Sequence, residues 1–90
     1  MHHDELCPEC FKVVGSPTRY KLVCIMGQST LPLSVTDLTT AIGLKQPTIT
    51  HHLQTLESVG AVVVKRDGNR KLYTINRRAH CFDECNIPTS

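Results

Sequence analysis

Four cysteines form two close pairs near the two ends of this 90-residue chain. Cys7 and Cys10 lie in the stretch "LCPECF", and Cys81 and Cys85 lie in "HCFDECN". Thiolates in a C-x2-C pair are common ligands of tetrahedral metals, and four thiolates suit Zn²⁺. On a helix, Cys81 and Cys85 would lie one turn apart on one face. The pairs indicate a four-thiolate metal site, disulfide or thiol-redox chemistry, or four unrelated thiols.

The spacing of the cysteines alone does not choose among these three interpretations. The two pairs are much farther apart in sequence than the pairs of a zinc ribbon. Domain termini often lie close together, which favours a shared site with zinc as its cofactor. A reducing cytosol argues against structural disulfides. A disulfide between two subunits and a three-thiolate site for a soft ion such as As(III) stay open.

Length and composition predict one domain over residues 1–90, with no apolar run long enough for a membrane span. No signal peptide is visible, so we expect a cytoplasmic protein without a membrane partner. All ten basic residues lie between positions 12 and 78, against three acidic ones. Six of these basic residues fall within fourteen positions: Lys65, Arg66, Arg70, Lys71, Arg77 and Arg78. This cluster predicts either a phosphate-attracting surface or an ordinary solvated hairpin.

Helices must position any site in the first two thirds of the chain. Ser16 and Pro17 predict a helix start, and Gly27 its end. A second helix is expected from Ser34, capped with Asp37, to Gly43. "QSTLPLS" between them predicts a loop with at most one extended dipeptide around Leu31 and Leu33. A third helix is expected from about Gln46 to Val59, with Ile49, Leu53 and Leu56 as its buried stripe.

The apolar period changes to two after Ala61, which predicts strands. "AVVVKR" and "RKLYTI" flank "DGN", a hairpin turn in which Gly68 can take positive φ. Asn76 is expected to cap a final short helix that carries Cys81 and Cys85. The predicted fold is α+β, mostly α: a winged helix-turn-helix with four to five helices, a two-stranded β-hairpin wing and a short last helix. The helix-turn-helix covers about 34–59, the wing about 61–76, and the cysteine-bearing ends 7–10 and 81–85.

The stretches "GSPTRYKLV" and "LSVTDLTTAIGLKQPTITHHLQTLESVGAVVVKRDGNRKLYTIN" resemble the ArsR/SmtB family of winged-helix transcriptional repressors. The resemblance covers about Gly15 to Asn76. It implies a homodimeric DNA-binding regulator that metal ions or redox changes often release from its operator. By the same resemblance, "KQPTITHHL" is the recognition helix and "KRDGNRKLY" is the wing.

Residues on the outer side of the third helix and around the wing turn are the predicted contacts to double-stranded DNA. The start of a recognition helix faces base edges, whereas basic wing residues follow the DNA backbone. The alternative for each residue is an ordinary solvent-exposed side chain that makes no contact with DNA. His52, beside the apolar stripe, is expected to be a half-buried packing residue with its hydrogen bonds satisfied. The predicted contacts are Lys45, Gln46, Thr48, Thr50, His51, Gln54, Arg66, Arg70 and Lys71.

Two metal-sensing patterns of the family are missing here. One places cysteines in a stretch like "ELCVCDL", where this chain has "PLSVTDL" with Ser34 and Thr36. The other needs a longer C-terminal helix with Asp, His and Glu. We therefore expect any metal site at Cys7, Cys10, Cys81 and Cys85. The chain shows no catalytic constellation and is not expected to be an enzyme. An alternative function is a winged-helix protein-interaction module with structural zinc.

Overall fold

The structure of the protein is a computed structural model that describes residues 8–83 and residue 88. Cys7 and Cys85 lie outside the described residues, as does most of the chain after Asp83. The elements in chain order are α1 (Pro8–Val14), α2 (Pro17–Gln28), β1 (Leu33–Ser34), α3 (Val35–Ile42), α4 (Gln46–Ser58), β2 (Val62–Asp67), β3 (Arg70–Ile75) and α5 (His80–Asp83). The predicted winged helix-turn-helix is confirmed. Its assignment as one domain over residues 1–90 stays a prediction.

Helix α2 begins as the sequence predicts and ends one residue later. The Oγ atom of Ser16 accepts a hydrogen bond from the Arg19 backbone N–H at 3.3 Å, and Pro17 starts the helix. Gly27 does not end α2, because the helix continues to Gln28 and the Ser29 N–H closes its last turn on the Met26 carbonyl. An interior glycine lowers helix stability but does not by itself terminate a helix.

Helices α3 and α4 form the helix-turn-helix. Ser34 and Asp37 form the predicted capping box: the Asp37 N–H donates to Ser34 Oγ at 3.1 Å, and the Ser34 N–H donates to Asp37 Oδ2 at 3.0 Å. Gly43 ends α3 in the left-handed region with φ of 84°, which favours glycine. On α4 the buried stripe is Ile49, Leu53 and Leu56, as expected from their spacing.

The sheet has three strands among the described residues, in the order β1-β3-β2: the two predicted strands of the wing, and β1 (Leu33–Ser34) where one extended dipeptide around Leu31 and Leu33 is expected. Strand β1 pairs antiparallel with β3 so that Leu33 lies opposite Tyr73 and Ser34 opposite Leu72. Two residues are too few for a period-2 pattern to show in the sequence. Strands β2 and β3 form the predicted hairpin, with Gly68 in the turn at φ of 64°.

The predicted cap of the last helix is wrong. Residues 77–79 form a turn, and α5 begins at His80. The Asn76 side chain is used elsewhere, because Oδ1 accepts from the Arg78 N–H and Nδ2 donates to the Gly60 carbonyl. No helix in the described part of the chain is long and apolar enough to cross a membrane.

The hydrophobic core contains residues of all five helices and of strands β2 and β3. Its centre is Leu22, Leu38, Leu53 and Leu56, which are fully buried, with Tyr73 of β3 against them. Helix α1 packs against both α2 and α5, so the two ends of the described chain meet. The helix-turn-helix therefore packs on a core that also includes residues of α1 and α5.

Candidate nucleic-acid interface

The predicted contact residues on α4 and at its cap lie outside its buried stripe. Thr50 is half-exposed, whereas the other five predicted residues of this region are exposed. Since Ile49, Leu53 and Leu56 anchor the inner side of the helix, these polar side chains are displayed on a rigid support. The exposed five are Lys45, Gln46, Thr48, His51 and Gln54.

Four of these side chains share an open surface groove. Gln46, Pro47, Thr50, His51 and Gln54 line it together. Amide, hydroxyl and imidazole groups can donate and accept hydrogen bonds at base edges. Lys45 and Thr48 are exposed beside the groove rather than in its lining. The structure thus brings most of the predicted α4 residues into one concave surface.

The start of α4 differs from the starts of α2 and α3. A serine side chain caps each of those helices, whereas Lys45 at the cap of α4 makes no side-chain hydrogen bond within the described chain. The first turn of α4 carries no acidic residue. The positive end of the helix dipole and the Lys45 ammonium therefore add together at this point, which favours a nearby phosphate.

The wing places its basic residues on two different faces. Arg66 lies directly opposite Lys71, and Asp67 lies directly opposite Arg70. Opposite residues share a face of the hairpin, and faces alternate along each strand. Arg66 and Lys71 are therefore on the same face as Val64 and Tyr73, which pack against the helices, and Arg70 is on the other face. All three basic residues are exposed.

Two like charges placed directly opposite each other destabilise a hairpin. The Arg66 and Lys71 pair is such a case, so this arrangement does not serve the stability of the wing. An anion that lies between the two side chains would relieve the repulsion. A DNA phosphate is an anion of this kind, and basic wing residues commonly meet the DNA backbone.

Arg70 lies near two acidic residues. Asp67 is its cross-strand neighbour, and Asp37 of α3 is close enough for its carboxylate to interact with the Arg70 charge. The pKa of Asp37 lies below its ordinary value, first because the carboxylate accepts hydrogen bonds from Ser34 and also because of Arg70. Sequence reasoning missed this difference within the wing. A two-residue turn at Gly68 and Asn69 already implies that Asp67 faces Arg70.

The two adjacent histidines of α4 have different surroundings. Their rings are tilted, with centroids 6.1 Å apart. His51 is exposed, whereas His52 is half-buried and its Nδ1 atom has no hydrogen-bond partner among the described residues. The expected burial of His52 is thus confirmed, but its expected hydrogen bonds are not found there. Burial, followed by the charges of Arg19 and His51, lowers the pKa of His52.

Cys10 and Cys81 are core residues, with 0% and 1% of their surfaces exposed. They lie on α1 and α5, which pack against each other, so the fold joins one member of each terminal pair to the same core. Within residues 8–83 no group of three or more Cys, His, Asp or Glu side chains could hold a metal ion. Cys10 and Cys81 are two of the four predicted zinc ligands. The other two, Cys7 and Cys85, lie outside the described residues.

Comparison with known proteins agrees with this architecture. The family model "Bacterial regulatory protein, arsR family" matches residues 16–63. An uncharacterised HTH-type transcriptional regulator of Methanocaldococcus jannaschii is 31% identical over 75 residues, which cover 83% of this chain and 83% of that protein. Both matches include the helix-turn-helix described above.

Two solved structures are similar in fold and in sequence. The homodimeric winged helix-turn-helix DNA-binding domain of Mycobacterium bovis, a possible ArsR-family regulator, superposes with a TM-score of 0.67 at 28% identity over 74% of this chain and 60% of that one. The transcriptional repressor BigR of Xylella fastidiosa gives 0.71 at 28% identity, over 87% of this chain and 76% of that one. The chain thus spans less than two thirds of the M. bovis fragment.

Proposed function

Because this chain belongs to the ArsR family of DNA-binding winged helix-turn-helix transcriptional regulators, we propose that it is a sequence-specific repressor that binds double-stranded DNA as a homodimer. The relatives are regulators and not enzymes, which confirms the expectation that the chain has no catalytic role. The observation that carries the proposal is the open groove on α4 that Gln46, His51 and Gln54 line, on a helix whose inner side is a fully buried stripe.

The proposed contacts divide into two kinds. Gln46 can form paired hydrogen bonds with adenine, and Thr50, His51 and Gln54 share its groove. These side chains would determine which sequence is bound. Lys45, Thr48 and the wing residues Arg66, Arg70 and Lys71 would contact phosphates, which supply affinity but little sequence information.

Repression and dimerisation have support from the relatives. BigR is a transcriptional repressor, and the M. bovis domain is homodimeric. A two-fold dimer would present two α4 helices to successive major grooves and would bind a palindromic site. Since DNA is the proposed partner, we also propose a cytoplasmic location.

We further propose that the terminal thiols Cys7, Cys10, Cys81 and Cys85 form a metal or redox site, with zinc as the metal. Its support is the contact between α1 and α5, which brings Cys10 and Cys81 into one core. Zinc bound by four thiolates would cross-link the two ends of the chain and add its binding free energy to folding. Burial of both described thiols favours a closed structural or redox-controlled site over an open one.

Binding to a DNA duplex selected from a random library tests the principal proposal. We expect log K to fall steeply with log salt, and Gln46→Ala to weaken binding to the selected duplex by about tenfold while binding to an unrelated duplex changes little. Gln28→Ala is the matched control, because Gln28 is equally exposed but lies at the end of α2. Absence of DNA binding at low salt would instead support a protein-interaction module.

Native mass spectrometry with and without reductant tests the thiol site. A bound zinc ion with four protected thiols supports the metal site, and a mass lower by two hydrogens per pair supports disulfides. An unmodified mass with all thiols reactive would exclude both. Removal of zinc by a chelator should then lower the melting temperature if the ion is structural, or change DNA affinity in a folded protein if it is regulatory.

A further inference from the structure

Asn76 joins the end of the wing to the end of the recognition helix. Its backbone N–H donates to the Ala61 carbonyl at 3.0 Å, and its side-chain Nδ2 donates to the Gly60 carbonyl at 3.0 Å. Its Oδ1 accepts from the Arg78 N–H at 3.2 Å, and its carbonyl accepts from the Ala79 N–H at 2.9 Å. Both polar ends of the side chain and both backbone groups are therefore used at this junction.

The two acceptors of Asn76 on the α4 side belong to a rigid cap. The Gly60 N–H donates to the Glu57 carbonyl at 3.0 Å, and the Ala61 N–H donates to the Leu56 carbonyl at 2.9 Å. Gly60 has φ of 78°, so this is the Schellman arrangement that ends a helix. Gly60 and Ala61 are thus held by the last turn of α4. A residue bonded to both of them is bonded, in effect, to the recognition helix.

A second contact fixes the other side of the same junction. Arg77, the next residue, donates from Nη2 to the Gly27 carbonyl in the last turn of α2, at 2.6 Å. The chain leaving β3 is therefore held to α4 through Asn76 and to α2 through Arg77. Its position relative to both helices is set at the base of the wing.

From these contacts we propose that Asn76 is a positioning residue that sets the angle of the wing against the recognition helix and thereby places Arg66 and Lys71 on the DNA backbone. The inference rests on the proposed DNA-binding function and deepens it. Lys71 lies five residues from Asn76 along β3, or about 17 Å at the usual rise of a strand. Because β3 is also paired with β1 at Leu72 and Tyr73, loss of the Asn76 bonds is expected to shift the wing tip rather than to release it.

Two substitutions separate this role from a merely structural one. Asn76→Ala removes both side-chain bonds without changing the charge. Asn76→Ser keeps an oxygen that can accept from the Arg78 N–H, but its shorter side chain cannot reach the Gly60 carbonyl. This variant replaces Asn76→Ala in the experiment if the alanine variant does not fold. The matched control is Ser16→Ala, which removes another side-chain to backbone bond, the cap of α2, outside the helix-turn-helix and the wing.

The measurement is DNA affinity as a function of salt, at a temperature where each variant is shown by circular dichroism to be folded. Both Asn76 variants should bind the selected duplex about three- to tenfold more weakly, with a salt slope shallower by about one, because a phosphate contact of the wing is lost. Ser16→Ala should lose stability but keep the affinity and slope of the wild type.

A double variant shows whether Asn76 acts through the wing. Combined with Lys71→Ala, the Asn76→Ser substitution should reduce affinity by less than the product of the two separate effects. Wild-type affinity and slope in folded Asn76→Ser would overturn the inference while leaving the proposed function intact. A wild-type protein that fails to bind any duplex at low salt would overturn both.

Discussion

The proposed DNA-binding residues of α4 and the wing, here called the DNA face, are exposed or half-exposed, whereas Cys10 and Cys81 at the joined ends of the chain are buried in the core. Exposed polar side chains on α4 and the wing contribute little to folding, so they can be exchanged for other residues at small cost in stability. Buried thiols contribute to packing whatever else they do. A substitution that weakens DNA binding therefore removes a contact in the first region but disturbs folding in the second. Each region needs its own control variant.

The largest expected effect concerns the buried thiols. Cys10→Ser or Cys81→Ser places a hydroxyl in an apolar core and should lower the free energy of unfolding by about 1–3 kcal/mol. The matched control is Cys24→Ser, which should cost less because Cys24 is half-exposed on α2. Urea denaturation under reducing conditions measures all three. DNA affinity of the folded variants should not change in the absence of metal. Equal losses at the three positions would remove the distinction between buried and accessible thiols.

The opposite result is expected for the basic face of the wing. The double substitution Arg66→Ala with Lys71→Ala should make the salt slope shallower by about two, because each phosphate contact contributes about 0.9. Stability should stay constant or rise by about 0.2–1 kcal/mol, since two like charges directly opposite each other are removed. Fluorescence anisotropy with labelled duplex and thermal melting give the two values.

Lys21→Ala is the control for the wing experiment, because Lys21 is exposed on α2, outside the helix-turn-helix and the wing. It should change neither the slope nor the melting temperature by a measurable amount. A wing variant that loses stability and keeps its salt slope would contradict the proposed division between a binding face and a structural core.

A smaller effect is expected from His52, which is half-buried on α4 beside the apolar stripe. Its pKa is lowered in the folded protein, so the unfolded chain takes up a proton more readily than the folded one. The stabilising effect of the neutral ring is complete above the unfolded pKa of about 6.5 and is lost as the pH falls toward the lower folded pKa. Stability should therefore decrease on acidification from pH 7 to pH 5.

Unfolding in urea at several pH values measures this dependence. His52→Gln should flatten the profile, whereas His51→Gln, which removes only the smallest of the three causes of the lowered His52 pKa, should leave most of it in place. Asp37 does not interfere, because its pKa is already below its ordinary value of 3.8 and its contribution is lost only at still lower pH. An unchanged slope in His52→Gln would show that another group causes the pH dependence.

Much of the DNA face was predictable because its determinants are local. Ser34 and Asp37 specify the start of α3, Gly43 specifies its end, and Gly68 specifies the wing turn. The apolar period of α4 then determines which side chains face outward. Local rules of this kind depend on residues three or four apart, and the sequence contains them in full.

The remaining features depend on contacts between distant residues. Strand β1 is defined by pairing with β3, and its two residues carry no pattern of their own. Asn76 was predicted to cap α5, but its side chain bonds to the Arg78 N–H in the turn before that helix and to the Gly60 carbonyl, 16 residues earlier. The usual closeness of domain termini could suggest that the ends meet, yet only the packing of α1 against α5 brings Cys10 and Cys81 into one core. In these three cases the local structure depends on contacts with distant residues, which the local sequence does not reveal.

The smallest expected difference lies within the wing itself, between Arg70 and Lys71. Arg70 faces Asp67 across the hairpin and interacts with Asp37, so part of its charge is already compensated before DNA binds. Lys71 faces Arg66 and has no such compensation at its cross-strand position. Lys71→Ala should therefore make the salt slope shallower by about 0.9, and Arg70→Ala by less.

Asp67→Asn should strengthen binding slightly, because it releases the Arg70 charge toward the phosphates. Equal slopes for the two basic substitutions would mean that both faces of the hairpin contact DNA equally, and that Asp67 and Asp37 do not direct Arg70 away from it.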